Sequence, residues 1–116
     1  MQIVFPSQLQ YWLYTGATDM RKSFDGLSGM VQQQMALSSL CRAVFIFLNR
    51  RRNRIKLLHW QGDGFAIYYK RLERGTYEIP QTSSNTVTLS SRQLQYILDG
   101  VWLSSVKNRR RYQHGG

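Results

Sequence analysis

Arginine and lysine carry most of the chemistry this chain can offer. One run, Arg50, Arg51, Arg52, Arg54 and Lys56, falls between two apolar segments. A second, Lys70, Arg71 and Arg74, closes the next apolar segment, and a third, Lys107, Arg109, Arg110 and Arg111, lies near the C-terminus. Guanidinium groups suit bidentate contacts to phosphate oxygens and to guanine edges, so the first run reads as a basic finger for nucleic acid. The plainer reading of any charge run is a solvated turn. Four arginines within the five positions 50–54 repel one another, and that repulsion favours a polyanion partner.

Arg21 and Lys22 follow Thr18 and Asp19 where the apolar residues take up helical spacing, at Met20, Phe24, Leu27, Val31 and Met35. With Thr18 or Asp19 as cap, both cations fall in a first helical turn, where the dipole opposes each by roughly a few tenths of a kcal/mol. A local rule broken in this way marks function, and free N–H groups beside two cations suit a phosphate. Alternatively, both side chains point to solvent while Asp19 caps the helix. Among the interleaved aromatics His59, Trp60, Tyr68 and Tyr69, most read as core. Strand alternation makes Tyr68, with Lys70, the candidate for a wet face that stacks on bases.

Catalysis has little to work with. The carboxylates are Asp19, Asp25, Asp63, Glu73, Glu78 and Asp99. A two-metal nuclease needs Asp25, Asp63 and Glu73 to converge. His59 and His114 lack partners at ligand spacing, a lone Cys41 cannot build a zinc site, and no Walker-type loop is present. The reading is a protein that is not an enzyme, with no catalytic residue, metal or cofactor.

The elements that must position these cations fit one domain of 116 residues, with 42% hydrophobic residues, 13% aromatics and a net charge of +10. That charge attracts a polyanion whatever its sequence. No apolar run is long enough to cross a bilayer, no signal peptide is visible, and one cysteine excludes an internal disulfide; the expectation is a soluble cytoplasmic protein associated with the nucleoid. Residues 11–14 read as a first strand. Residues 43–80 read as a meander: a continuous apolar strand at 44–48 covered on both faces, strands at 55–60 and 65–70 joined by Gln61-Gly62-Asp63-Gly64, and a fourth at 76–79 stopped by Pro80. Residues 87–89 add a short edge strand. Ser90 and Gln93 then form a capping box, Leu89 and Leu94 a hydrophobic staple, and Leu94, Ile97 and Leu98 a buried stripe ended by Gly100. The fold predicted is α+β: a small antiparallel meander of four or five strands with two helices packed on one face. Residues 1–103 form the domain, and 104–116 a disordered basic tail.

Four ordered segments carry a family resemblance. They are Thr18-Asp19-Met20-Arg21-Lys22-Ser23-Phe24-Asp25-Gly26-Leu27, then Asn49-Arg50-Arg51-Arg52-Asn53-Arg54-Ile55-Lys56-Leu57-Leu58-His59-Trp60, then Gly62-Asp63-Gly64-Phe65, and Tyr69-Lys70-Arg71-Leu72-Glu73-Arg74-Gly75. At this spacing the chain resembles, from about Tyr11 to Leu103, the accessory protein encoded by the second open reading frame of the insertion sequence sixty-six family of bacterial mobile elements. The resemblance implies a role in transposition beside a separate, larger transposase that carries the strand-transfer chemistry. Within the shared motif Asp25 lies four residues after Arg21, so on a helix it steadies the cations toward a ligand, or forms a surface pair worth well under ~1 kcal/mol.

The expectation is a DNA-binding accessory factor for transposition. Arg21, Lys22, Arg50, Arg51, Arg52, Arg54, Lys56, Lys70, Arg71 and Arg74 would form one basic surface against DNA, with element ends as the suspected target. The alternative is an interaction module that recruits or stabilises the transposase and touches nucleic acid weakly. Binding of DNA by the purified protein alone separates the two.

Overall fold

The computed structural model describes residues 5–100. In chain order these form β1 (Gln10–Ala17), α1 (Phe24–Gln33), β2 (Ala43–Leu48), β3 (Arg54–Trp60), β4 (Phe65–Arg71), β5 (Thr86–Leu89) and α2 (Ser91–Asp99). The five strands make a single sheet in the order β4-β3-β2-β1-β5. The fold is therefore α+β, as the sequence predicts. The expected tail at 104–116 lies outside the described residues.

Central position explains the composition of β2. All six of its residues are buried, so the strand is apolar on both faces rather than alternating. Each face then needs its own cover. Tyr11, Leu13, Val44, Ile46, Leu48, Ile55 and Leu57 pack with Leu94, Ile97 and Leu98 of α2. Ala43, Phe45, Phe47 and Leu58 pack instead with Leu27, Val31 and Met35. The helices thus cover opposite faces, which corrects the expectation that both pack on one. An apolar strand sandwiched on both sides leaves no other arrangement.

The sheet is mostly antiparallel, but β1 and β2 run parallel. The chain leaves β1, crosses through α1 and returns to the same end, as a parallel pair requires. A register shift between Leu13 and Ala17 bulges β1. Gly16 lies in that bulge, where an added Cβ would meet the Tyr14 hydroxyl at 2.7 Å.

Two elements differ from expectation. Residues 76–79 form no strand. Gly75, with φ 81°, turns the chain away from β4, and the segment crosses toward the far edge of the sheet, burying Tyr77 and Ile79 in the α2-side core. The helix expected from Met20 begins only at Phe24, with Ser23 as N-cap. The carbonyls of Met20 and Lys22 are taken by the Lys56 ammonium, and the Asp19 side chain accepts from the Arg21 N–H; both compete with helical pairing. By contrast α2 forms as predicted: Gln93 N–H donates to Ser90 Oγ at 3.1 Å, Ser90 N–H donates to Gln93 Oε1 at 2.8 Å, and Gly100 ends the helix at φ 81°.

The two glycines of α1 differ in kind. At Gly26 an added Cβ would press on Lys22 Cβ at 3.1 Å, whereas at Gly29 nothing lies within 4 Å. Gly29→Ala therefore raises stability by up to about 1 kcal/mol, read as a higher urea midpoint at unchanged slope. A midpoint that stays or falls contradicts the open geometry at this position.

Candidate nucleic-acid interface

The chain visits one end of the sheet repeatedly: at the exit of β1, in the β2–β3 connection, after β4 and before β5. Most of the predicted cations lie there. Asn49 builds the β2–β3 connection. Its Oδ1 accepts from the N–H groups of Asn53 and Arg54, both at 3.0 Å, and its Nδ2 donates to Asn53 Oδ1 at 2.7 Å. Arg52 takes φ 56° to close the turn, and its carbonyl accepts from Tyr77 N–H at 2.6 Å. Arg50, Arg51 and Arg52 stand exposed on this frame, and Arg54 is half-buried at the start of β3.

The 18–22 turn docks against the same end. Thr18 N–H donates to Leu48 carbonyl at 2.8 Å, extending the ladder past the bulge. Lys56 reaches across from β3 and donates to the carbonyls of Met20 and Lys22 at 2.8 and 2.7 Å. Its ammonium also lies 4.7 Å from the centroid of the Tyr69 ring. Only 8% of Lys56 is exposed. Its charge is held inside and ties the turn to the sheet, so it does not project with the other cations.

Arg21 pairs with Asp19, not with Asp25. Its Nε and Nη2 donate to the Asp19 carboxylate at distances down to 2.6 Å. These side-chain bonds, and next the Arg21 backbone N–H, hold the Asp19 carboxyl down at about 2. Asp19 is therefore charged throughout the neutral range and orients Arg21 while offsetting part of its charge. Asp25 instead sits in the first turn of α1, where a carboxylate suits the dipole. The expected clash of Arg21 and Lys22 with a helix terminus is absent because the helix starts after them.

Arg21, Arg50, Arg51 and Arg54 line one groove with Thr18, Asp19, Met20, Asn49 and Asn53, enclosing about 460 Å³. The remaining cations divide. Arg52 lines a different depression with Thr15 and Pro80. Arg71 lies directly across the ladder from Arg54, whereas Lys70 lies across from Ile55 and so faces the α2 side. Arg71 meets Glu73 at 3.5 Å on the exposed surface. Lys22 and Arg74 are exposed. The predicted cations thus share one end of the sheet, without forming one continuous face.

The wet aromatic is Tyr69 rather than Tyr68. Tyr68 packs against the α2-side core, and burial pushes its hydroxyl pKa up. Tyr69 is 47% exposed. Its signal was its register opposite Lys56, which only the ladder reveals. Trp60 packs edge-on to Phe65 at 5.0 Å, and burial lowers the pKa of His59, so the far end adds no histidine charge near neutrality. Asp63 and Glu73 flank opposite ends of β4, roughly 20 Å apart along a strand, which separates the carboxylates a nuclease would bring together.

A family model described as IS66 Orf2 like protein matches residues 9–108. The chain belongs to the IS66 Orf2-like family. The match makes it an accessory protein of an insertion sequence, in a family not known for catalysis. The chain is also 33% identical over 93 residues to the uncharacterized protein y4hO of Sinorhizobium fredii, covering 80% of this chain and 81% of that one. It is 24% identical to the uncharacterized protein y4jC of the same organism, covering 92% of each. No solved structure matches significantly. Among the described residues no helix is long and apolar enough to cross a membrane. Three of the family-like segments, 18–27, 49–60 and 69–75, meet around the Lys56 ammonium, where Met20, Lys22 and Tyr69 converge.

Lys56→Ala leaves the Met20 and Lys22 carbonyls without their donor, at a cost of about 1–3 kcal/mol. Denaturant unfolding should show that loss. A variant as stable as the parent means the turn is held by other contacts.

Proposed function

We propose that this accessory protein binds DNA without catalysing its cleavage, setting phosphates along the arginine-rich end of the sheet. The observation that carries this reading is convergence: Arg21 and Arg50, Arg51 and Arg54, from segments far apart in sequence, line one groove. Assembling like charges at one place costs repulsion that an anionic ligand relieves. Arg50 and Arg51 are exposed on a connection braced by Asn49, so the backbone that carries them is set before a ligand arrives, which lowers the ordering cost of binding. Arg52, Arg71 and Arg74 extend the positive end around the groove and suit phosphates of the same polymer. Lys70, on the other face, and Lys56, held inside, contribute long-range field more than contact.

The test uses a duplex from the end of the parent element and a scrambled duplex of equal length, across a salt series. Tighter binding of the element-end duplex, surviving about 150 mM salt, is the expected result. Arg51→Ala should weaken both duplexes alike and lower the slope of log affinity against log salt by about 1, as for a phosphate contact. A loss confined to the element-end duplex would reassign Arg51 to base reading. Negligible binding of either duplex and of its separated strands at that salt would overturn the reading in favour of transposase recruitment.

A further inference from the structure

An exposed aromatic ring adjoins the basic groove. Tyr69 stands on edge strand β4 with 47% of its surface exposed. Two cations of the neighbouring strand hold it: the Lys56 ammonium lies 4.7 Å from the ring centroid, and Arg54 Nη1 donates to the hydroxyl at 3.3 Å. Arg54 also lines the groove, beside Thr18, Arg21, Arg50 and Arg51. Ring and groove are therefore contiguous through one side chain. Thr18, which lines the groove, is only 4% exposed, and its buried hydroxyl has no hydrogen-bond partner among the described residues.

We propose that the groove and Tyr69 form one site for an unpaired DNA strand, with phosphate among the arginines and a base stacked on the ring. The inference rests on the DNA-binding reading and names the form of DNA that this site takes. Duplex DNA keeps its base faces stacked against one another, so an exposed ring beside the groove has nothing to stack on there. A single strand offers both a free base face and a backbone phosphate within one nucleotide, the combination that aromatic-and-cation sites recognise. Because Lys56 and Arg54 already fix the ring, stacking orders little that was free. Tyr69 acts as a contact, and Arg54 serves both halves of the site.

The experiment measures full-length protein against a labelled oligothymidine of about 12 nucleotides, and against a duplex of mixed sequence, at one salt concentration. The quantity read is the ratio of single-strand to duplex affinity. Tyr69→Ala should lower that ratio about tenfold, the scale of one lost stack, and Tyr69→Phe should restore it. Tyr69→Leu, which keeps apolar bulk under the Lys56 stem, should behave like the alanine variant and guards against a folding defect. An unchanged ratio in both the alanine and leucine variants overturns the proposal. Duplex binding that still responds to Arg51→Ala would then leave the DNA-binding reading standing. Binding of neither DNA form removes both. An oligouridine of equal length held more tightly than oligothymidine overturns the assignment to DNA.

Discussion

One buried ammonium organises the arginine-rich end of this protein. Lys56 belongs to β3, yet its hydrogen bonds go to carbonyls of the 18–22 turn, and its charge rests over a ring of β4. Taking a lysine out of water is costly unless its protons find acceptors. Here two carbonyls and an aromatic face supply them, and the three segments they come from are thereby fixed to one another. The turn that carries Arg21 has no helix to hold it, because α1 begins only at Phe24. What holds it is Lys56, together with the Thr18–Leu48 backbone bond.

The charge distribution follows from that arrangement and from topology. The parallel β1–β2 pair sends both strand exits to the same end of the sheet, and the β2–β3 and β4 connections add their arginines there. The core is built on both faces of β2, so these connections can carry charge with little effect on packing. Among the described cations of this end, Lys56 is the one that is buried. Asn49 plays the corresponding part for the arginine turn, replacing missing ladder bonds with side-chain ones.

What could be read in the sequence was whatever depends on near neighbours. The capping box, the staple and Gly100 define α2 within a dozen residues, and the apolar run of β2 identifies a strand buried on both faces. That same run implies a helix on each face, an implication the one-face expectation missed. The late start of α1 was not legible, because the competing bonds come from Lys56, 36 and 34 residues away. Residues 76–79 carry a strand-like pattern but must cross the sheet to reach β5, so pairing was lost to connectivity. The basic residues were identifiable by type. Which of them share a groove, and that Tyr69 rather than Tyr68 is open, depended on the ladder register between β3 and β4.

The central claim is that nucleic acid meets this end of the sheet and no other. Amide chemical-shift mapping during titration with element-end DNA tests it most directly, because it reports position independently of affinity. The largest shifts are expected at residues 18–22, 49–54 and 69–74. Shifts concentrated at residues 40–42 and 59–64, at the opposite end, with the arginine turn unmoved, would contradict it.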